Sequence, residues 1–204
     1  MQAILVHGMG RTPLSMYLLA YRLIAAGIKP TLFAYCVTIE NWAGCTKRLG
    51  QFIEAHAGEA PYVIVTHSLG SVLTRQVLPS LSCKPVACFF LAPPTQACDA
   101  ARRLAPKWWY RALTGEMGQL LANQEFMSSL PIPGMLTKVY AGTAGLTGRY
   151  SPFGEDANDG ILMVKETQLP SAVMQTVPSL HTFIMNNSNL IGDIIKEIVT
   201  LTRP

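Results

Sequence analysis

The sequence predicts an α/β fold, a single mostly parallel sheet with helices on both faces. Short apolar, β-branched runs recur along the chain and suit strands buried on both sides. Between them lie longer segments with apolar residues three and four positions apart, the period of a helix resting on a sheet. A hydrophobic content of 50% against 14% charged residues suits a well-buried core, and 204 residues is the size of one domain, 1–204.

The elements follow in order. Ala3 to Val6 reads as the first strand. Thr12 then caps a helix with Pro13 at its first position, Leu14, Tyr17, Leu18 and Tyr21 supply the apolar face, and Gly27 ends it. Thr31 to Tyr35 is a second strand, followed by a helix around Trp42 to Ala55. Tyr62 to Thr66 is apolar, β-branched and too short for a helix, so it is a third strand. Leu69, Val72, Leu73, Gln76 and Val77 mark the next helix, which ends near Pro79. Val86 to Leu91 and Lys138 to Ala141 are further strands, with a short one at Ile161 to Val164. Leu190 to Leu201, with Ile191, Ile194, Ile195 and Ile198, forms a closing helix, and no internal repeat or low-complexity linker intervenes.

The segment 93–136 breaks the rhythm. Arg102, Arg103, Lys107 and Arg111 surround Trp108, Trp109 and Tyr110 there. Such a stretch suits a small lid or cap over an apolar pocket or a patch that rests on a lipid interface, and equally a helical excursion whose aromatics pack on the core.

Composition narrows the function classes. Mean hydropathy is positive, yet no uncharged apolar run approaches the roughly 18 to 20 residues needed to span a bilayer. Cys36, Cys45, Cys83, Cys88 and Cys98 form an odd set without a CxxC pair, so free thiols are expected and no zinc site. A formal charge of +4 does not mark a nucleic-acid binder and leaves contact with anionic lipid open. A core strand begins within two residues of the start, which makes a cytoplasmic location the default expectation; a chain trimmed of its leader would look identical.

The chemistry concentrates in "YVIVTHSLGSVL", residues 62 to 73. Ser68 falls on the turn between a buried strand and a helix, the context of the GxSxG nucleophile elbow, in which a strained serine projects its hydroxyl over the sheet edge. Gly70 supplies one small neighbour, and Thr66 stands where the other glycine is usual. The plain alternative is a serine N-cap.

Acyl transfer by serine needs a base, an acid to orient it, and donors for the oxyanion. Of the four histidines, His56 lies at a polar helix end, while His7 and His67 sit beside glycine-containing turns at the sheet edge. His181 remains, and it alone follows Ser68 with room for an acid between them. In "GEDANDGIL" Asp159 occupies an Asn-Asp-Gly turn that can hold a carboxylate rigidly, with Asp156 in reserve; a bare β-turn is the alternative. In "ILVHGMG" Gly8 lets the chain bend so that the amide of Met9 points inward, and the amide of Leu69 opens a helix beside the serine. "GMGRT" lacks the lysine and spacing of a phosphate-binding loop. His7 and Gly8, with Trp108 and Trp109 in the insertion, are the candidate substrate-binding residues.

Taken together, His7 to Met9, Thr66 to Gly70, Asn158 to Gly160 and His181 resemble the ordered motifs of compact bacterial α/β-hydrolases of the triacylglycerol lipase and esterase kind. The resemblance covers most of the chain. It implies the α/β-hydrolase fold, with Ser68 as nucleophile, His181 as base and then acid, Asp159 as the orienting carboxylate, and Met9 and Leu69 as oxyanion donors. The chain departs from the family at Thr66, begins directly at the first strand, and has no aspartate soon after His181 of the kind that holds a structural calcium in some relatives. No metal or cofactor is therefore expected. The expected activity is hydrolysis of small-molecule or lipid carboxylic esters, with transient contact at a lipid interface and no obligate protein partner. The same triad would serve a thioesterase or acyltransferase. A hydrolase-like binding module without catalysis is the rival from another class, for which Thr66 is the best support.

Overall fold

The computed structural model describes residues 1–58 and 60–202. At its centre lies a sheet of six parallel strands: β1 (Gln2–Val6), β2 (Lys29–Phe33), β3 (Tyr62–His67), β4 (Ala87–Leu91), β5 (Leu136–Gly142) and β6 (Val173–Val177), in the order β2-β1-β3-β4-β5-β6. Seven α-helices accompany it among the described residues: α1 (Tyr17–Ala25), α2 (Trp42–Ala57), α3 (Leu69–Val77), α4 (Asp99–Leu104), α5 (Trp108–Leu120), α6 (Gln124–Ser129) and α7 (Ser188–Leu201).

Alternation of side chains along the strands builds two cores. Ile4 and Val6 of β1 and Tyr62 and Ile64 of β3 face α2 and α3, whereas Ala3, Leu5, Val63 and Val65 face α1 and α7. Both faces are covered, which is why the central strands read as unbroken apolar runs. In register, Val6 lies beside Thr66, and His67 beside Leu91. The carboxyl ends of β1, β3 and β4 therefore come level, and the turns that leave them share one edge. Among the described residues no helix is long and apolar enough to cross a membrane.

Four expectations need correction. The first helix is preceded by a 3₁₀ turn, Pro13–Met16, in which the Thr12 side chain makes no capping hydrogen bond. Its predicted apolar face points outward: Leu14, Tyr17, Leu18 and Tyr21 are exposed, and the buried face is Met16, Leu19, Ala20 and Leu23. The helix is apolar nearly all round, so periodicity could not choose between its faces. The second strand starts two residues earlier than predicted and takes in Pro30, which is tolerated because β2 lies at the sheet edge.

Ile161 to Val164 is not a strand. The amides of Ile161 and Leu162 donate to Asp159 Oδ1 at 2.9 and 2.7 Å, which removes them from any ladder. The sixth strand is Val173–Val177, where Gln175 and Thr176 dilute the apolar signal, as an edge position permits.

The 93–136 insertion carries α4, α5 and α6, and Met117, Leu121, Met127 and Leu130 pack into the core shared with α2 and α3. Arg75 of α3 ties its two ends together. Its buried guanidinium donates to Leu130 O at 2.8 Å, Pro131 O at 2.9 Å and Thr95 O at 3.4 Å.

Candidate active site

Ser68 sits between β3 and α3 with φ 50° and ψ −121°, a conformation few residues with a side chain adopt. Its own N–H bonds to Leu91 O at 2.9 Å, so the end of the β-ladder holds the strained residue in place. Two glycines make the turn possible. A Cβ on Gly70 would lie 2.7 Å from both Val6 O and His7 O, so only glycine lets α3 pack against the end of β1. A Cβ on Gly8 would lie 2.5 Å from His67 Nδ1 and 3.2 Å from Ser68 Cβ, so glycine lets the β1 turn press against the elbow. Thr66, the departure from the usual elbow glycine, is fully buried between Val6 and Phe90, and its hydroxyl has no hydrogen-bond partner among the described residues.

Three residues far apart in sequence meet here. Ser68 Oγ lies 3.0 Å from His181 Nε2, and His181 Nδ1 lies 2.7 Å from Asp159 Oδ2. The other carboxylate oxygen of Asp159 accepts the Ile161 and Leu162 amides, and Asp159 O accepts the His181 N–H at 2.9 Å. Asp159 and His181 are thereby paired through main chain and side chain together. The Asn158–Gly160 turn is itself fixed. Buried Asn158 donates to Leu146 O and Asp156 O and accepts the Gly160 amide, each at 2.9 Å, while Gly160 adopts φ 92°. Gly142 at the end of β5 leaves the space that Asp159 fills, since a Cβ there would meet Asp159 Cβ at 2.7 Å. Asp156, the reserve acid, instead pairs with Lys165 at 2.7 Å on the surface.

The arrangement can pass a proton from Ser68 Oγ to His181, with the carboxylate of Asp159 orienting the ring and facing the charge that forms. Leu69 is the first residue of α3, so its N–H has no acceptor within the helix. Met9 lines the same cavity as Ser68.

The remaining predicted residues have other positions. His7 does not line the cavity. Its ring stacks on Tyr35 with centroids 4.3 Å apart, its Nδ1–H donates to Gly8 O at 2.9 Å, and Tyr35 Oη donates back to His7 O at 2.9 Å. Burial lowers its pKa, in keeping with a neutral ring that props the turn. Gly8 shapes that turn and is likewise absent from the lining. Trp108 is 79% exposed and Trp109 42%, and neither reaches the cavity; their neighbour Tyr110 does. A helix can point only one of three consecutive aromatics inward, and composition does not reveal which.

Sequence reading passed over His67 as a participant. It is buried beneath His181, its Nε2–H donates to His181 O at 3.0 Å, and burial holds its pKa well below that of an ordinary histidine. The contact ties the residue before Ser68 to the backbone of His181, and burial favours the neutral ring. The place of His67 immediately before the serine was the available signal.

The cavity above Ser68 has a volume of about 370 Å³, near the lower end of the range for small-molecule sites. Pro94, Cys98, Ala101, Leu104, Tyr110 and Leu121 give it an apolar wall from the insertion, and Arg11 also lines it. Burial pushes the Cys98 thiol up to about 11, so it enters as an inert apolar surface.

Sheet, elbow and hydrogen-bonded Ser-His-Asp chain together define an α/β-hydrolase fold. Solved structures agree. The chain is similar to the mature Bacillus licheniformis lipase BlEst2, at 17% identity and a TM-score of 0.67, over 97% of this chain and 91% of that one. It is similar to the metagenomic carboxyl esterase MGS0156, at 16% identity and a TM-score of 0.74, over 97% and 76% of the two chains. It is also similar to RedJ, a thioesterase from the prodiginine biosynthetic pathway of Streptomyces coelicolor, at 14% identity and a TM-score of 0.62, over 98% and 84%. No protein-family model matches the chain, and no curated protein matches it in sequence.

Proposed function

We propose that the chain is a serine hydrolase that cleaves carboxylic esters, small-molecule or lipid, through an acyl-enzyme on Ser68. The observation that carries this reading is the continuous Ser68–His181–Asp159 chain, at 3.0 and 2.7 Å, opening on an apolar cavity. Ser68 Oγ attacks the ester carbonyl as its proton passes to His181 Nε2, and the amides of Met9 and Leu69 receive the negative oxygen. Collapse breaks the bond to the alcohol, which leaves with the proton from His181. Water then repeats the sequence and releases the acid. The apolar wall suits the acyl chain, and the steps call for no metal or cofactor.

Hydrolysis of p-nitrophenyl esters from acetate to palmitate, wild type beside Ser68→Ala, tests the reading. The variant should fold normally and lose roughly three or more orders of magnitude in kcat. An unchanged rate would sink it, and a folded wild type that neither hydrolyses any ester nor reacts with a fluorophosphonate would favour a binding module.

A further inference from the structure

The cavity wall holds one permanently charged side chain, Arg11. Two features set it apart. The other arginine that is not exposed among the described residues, Arg75, is answered by three carbonyls, whereas the half-buried Arg11 has no salt bridge and no side-chain hydrogen bond among the described residues. It also belongs to the turn that carries the Met9 amide, which its own N–H closes by donating to Gly8 O at 3.3 Å.

We propose that Arg11 is a specificity-determining residue that binds an anionic group, phosphate or carboxylate, on the leaving-group side of an ester with an apolar acyl chain. The assignment rests on the Ser68 acyl-enzyme reading above. A half-hidden guanidinium without a partner loses hydration and gains nothing in return until an anion enters. Its planar fork matches the oxygens of phosphate and carboxylate alike.

Position decides which half of the substrate it meets. The Pro13–Met16 turn that follows Arg11 packs against the 3₁₀ turn His181–Asn186, and Thr182 of that turn lines the cavity as well. Arg11 is close enough for its charge to oppose protonation of His67, which lies against His181. It therefore stands on the His181 side, where the departing alcohol takes up its proton. The apolar wall from Pro94 to Leu121 comes from a different element, the insertion, and is left for the acyl chain.

Two matched pairs of hexanoyl esters test this: hexanoyl glycerol phosphate against hexanoyl glycerol, and hexanoyl glycolate against hexanoyl glycolamide. The readout is the ratio of kcat/KM within each pair, from released hexanoate, so an effect common to both members cancels. Wild type should favour the anionic member of at least one pair by about ten-fold or more, the scale of a hydrogen bond to a charged group. Arg11→Gln should bring that ratio to one or below, and Arg11→Lys should restore part of it. The pair that responds distinguishes phosphate from carboxylate. Ratios within two-fold in both pairs, or a preference that survives Arg11→Gln, would overturn the assignment. Ser68-dependent hydrolysis of the neutral esters in that case leaves the ester-hydrolase reading standing. No hydrolysis of any of the four, with no fluorophosphonate label on Ser68, would overturn both.

Discussion

Replacing Arg75 by methionine should loosen the insertion from the sheet. Methionine keeps an unbranched apolar stem like that of arginine but ends short of the guanidinium, so the change removes the fork and leaves its acceptors in place. Two of the three hydrogen bonds are short, 2.8 Å to Leu130 O and 2.9 Å to Pro131 O, and the third, to Thr95 O, is stretched to 3.4 Å. Hydrogen bonds from a charged donor contribute about 1.5–3 kcal/mol each, and the carbonyls they leave would be buried without partners. Part of the loss is recovered because the guanidinium itself is buried without a carboxylate, a strain that pushes its pKa down to about 10. The net expectation is a loss of about 2–4 kcal/mol, or a fall in Tm of roughly 5–15 °C for a chain of this size. Urea unfolding of wild type, Arg75→Met and Arg75→Lys measures it, with the lysine intermediate because an ammonium cannot reach both strong acceptors in the fork geometry. Proteolysis within 93–136 should quicken in parallel. An Arg75→Met protein within about 0.5 kcal/mol of wild type would refute the clamp, because surface substitutions alone produce changes of that size.

Thr66→Val should raise stability by about 1 kcal/mol, since it removes a buried hydroxyl without a partner and keeps the branched shape that β3 packs. A Tm higher by roughly 2–4 °C is expected, and a lower one would mean that the hydroxyl is hydrogen-bonded in solution. Acid should act through His7 and His67. Burial lowers the pKa of both, so below about pH 6.5 the unfolded chain binds protons that the folded chain does not. Their contribution is complete above that pH and declines as pH falls, by up to about 1.4 kcal/mol per pH unit for each histidine. His67→Gln should flatten the acid limb of unfolding free energy between about pH 7 and 5, and an unchanged slope would place a proton on the folded His67.

Much of this molecule is legible one segment at a time. The apolar run Tyr62 to Thr66, with Leu69 to Val77 at helical spacing after it, specifies strand, turn and helix locally, and puts Ser68 on the turn before any tertiary contact is known. Local signal marked Asp159 as a turn residue and His181 as one of four histidines; the order serine, aspartate, histidine that singled them out came from the resemblance to α/β-hydrolases.

Where local signal is ambiguous or weak, the tertiary structure decided. The helix Tyr17–Ala25 is apolar on most sides, and only the sheet beside it selects Leu19 and Leu23 over Tyr17 and Tyr21 for burial. Val173–Val177 became a strand because β5 offers it an open edge, while Ile161 lost that chance to the carboxylate of Asp159. The closure of Ser68 on His181 spans 113 residues and that of His181 on Asp159 spans 22, distances over which periodicity carries no information. The same holds for Arg11, Arg75 and Tyr110. Sequence determines which residues can be buried, strained or charged; which of them face one another follows from how the sheet brings distant turns to a common edge.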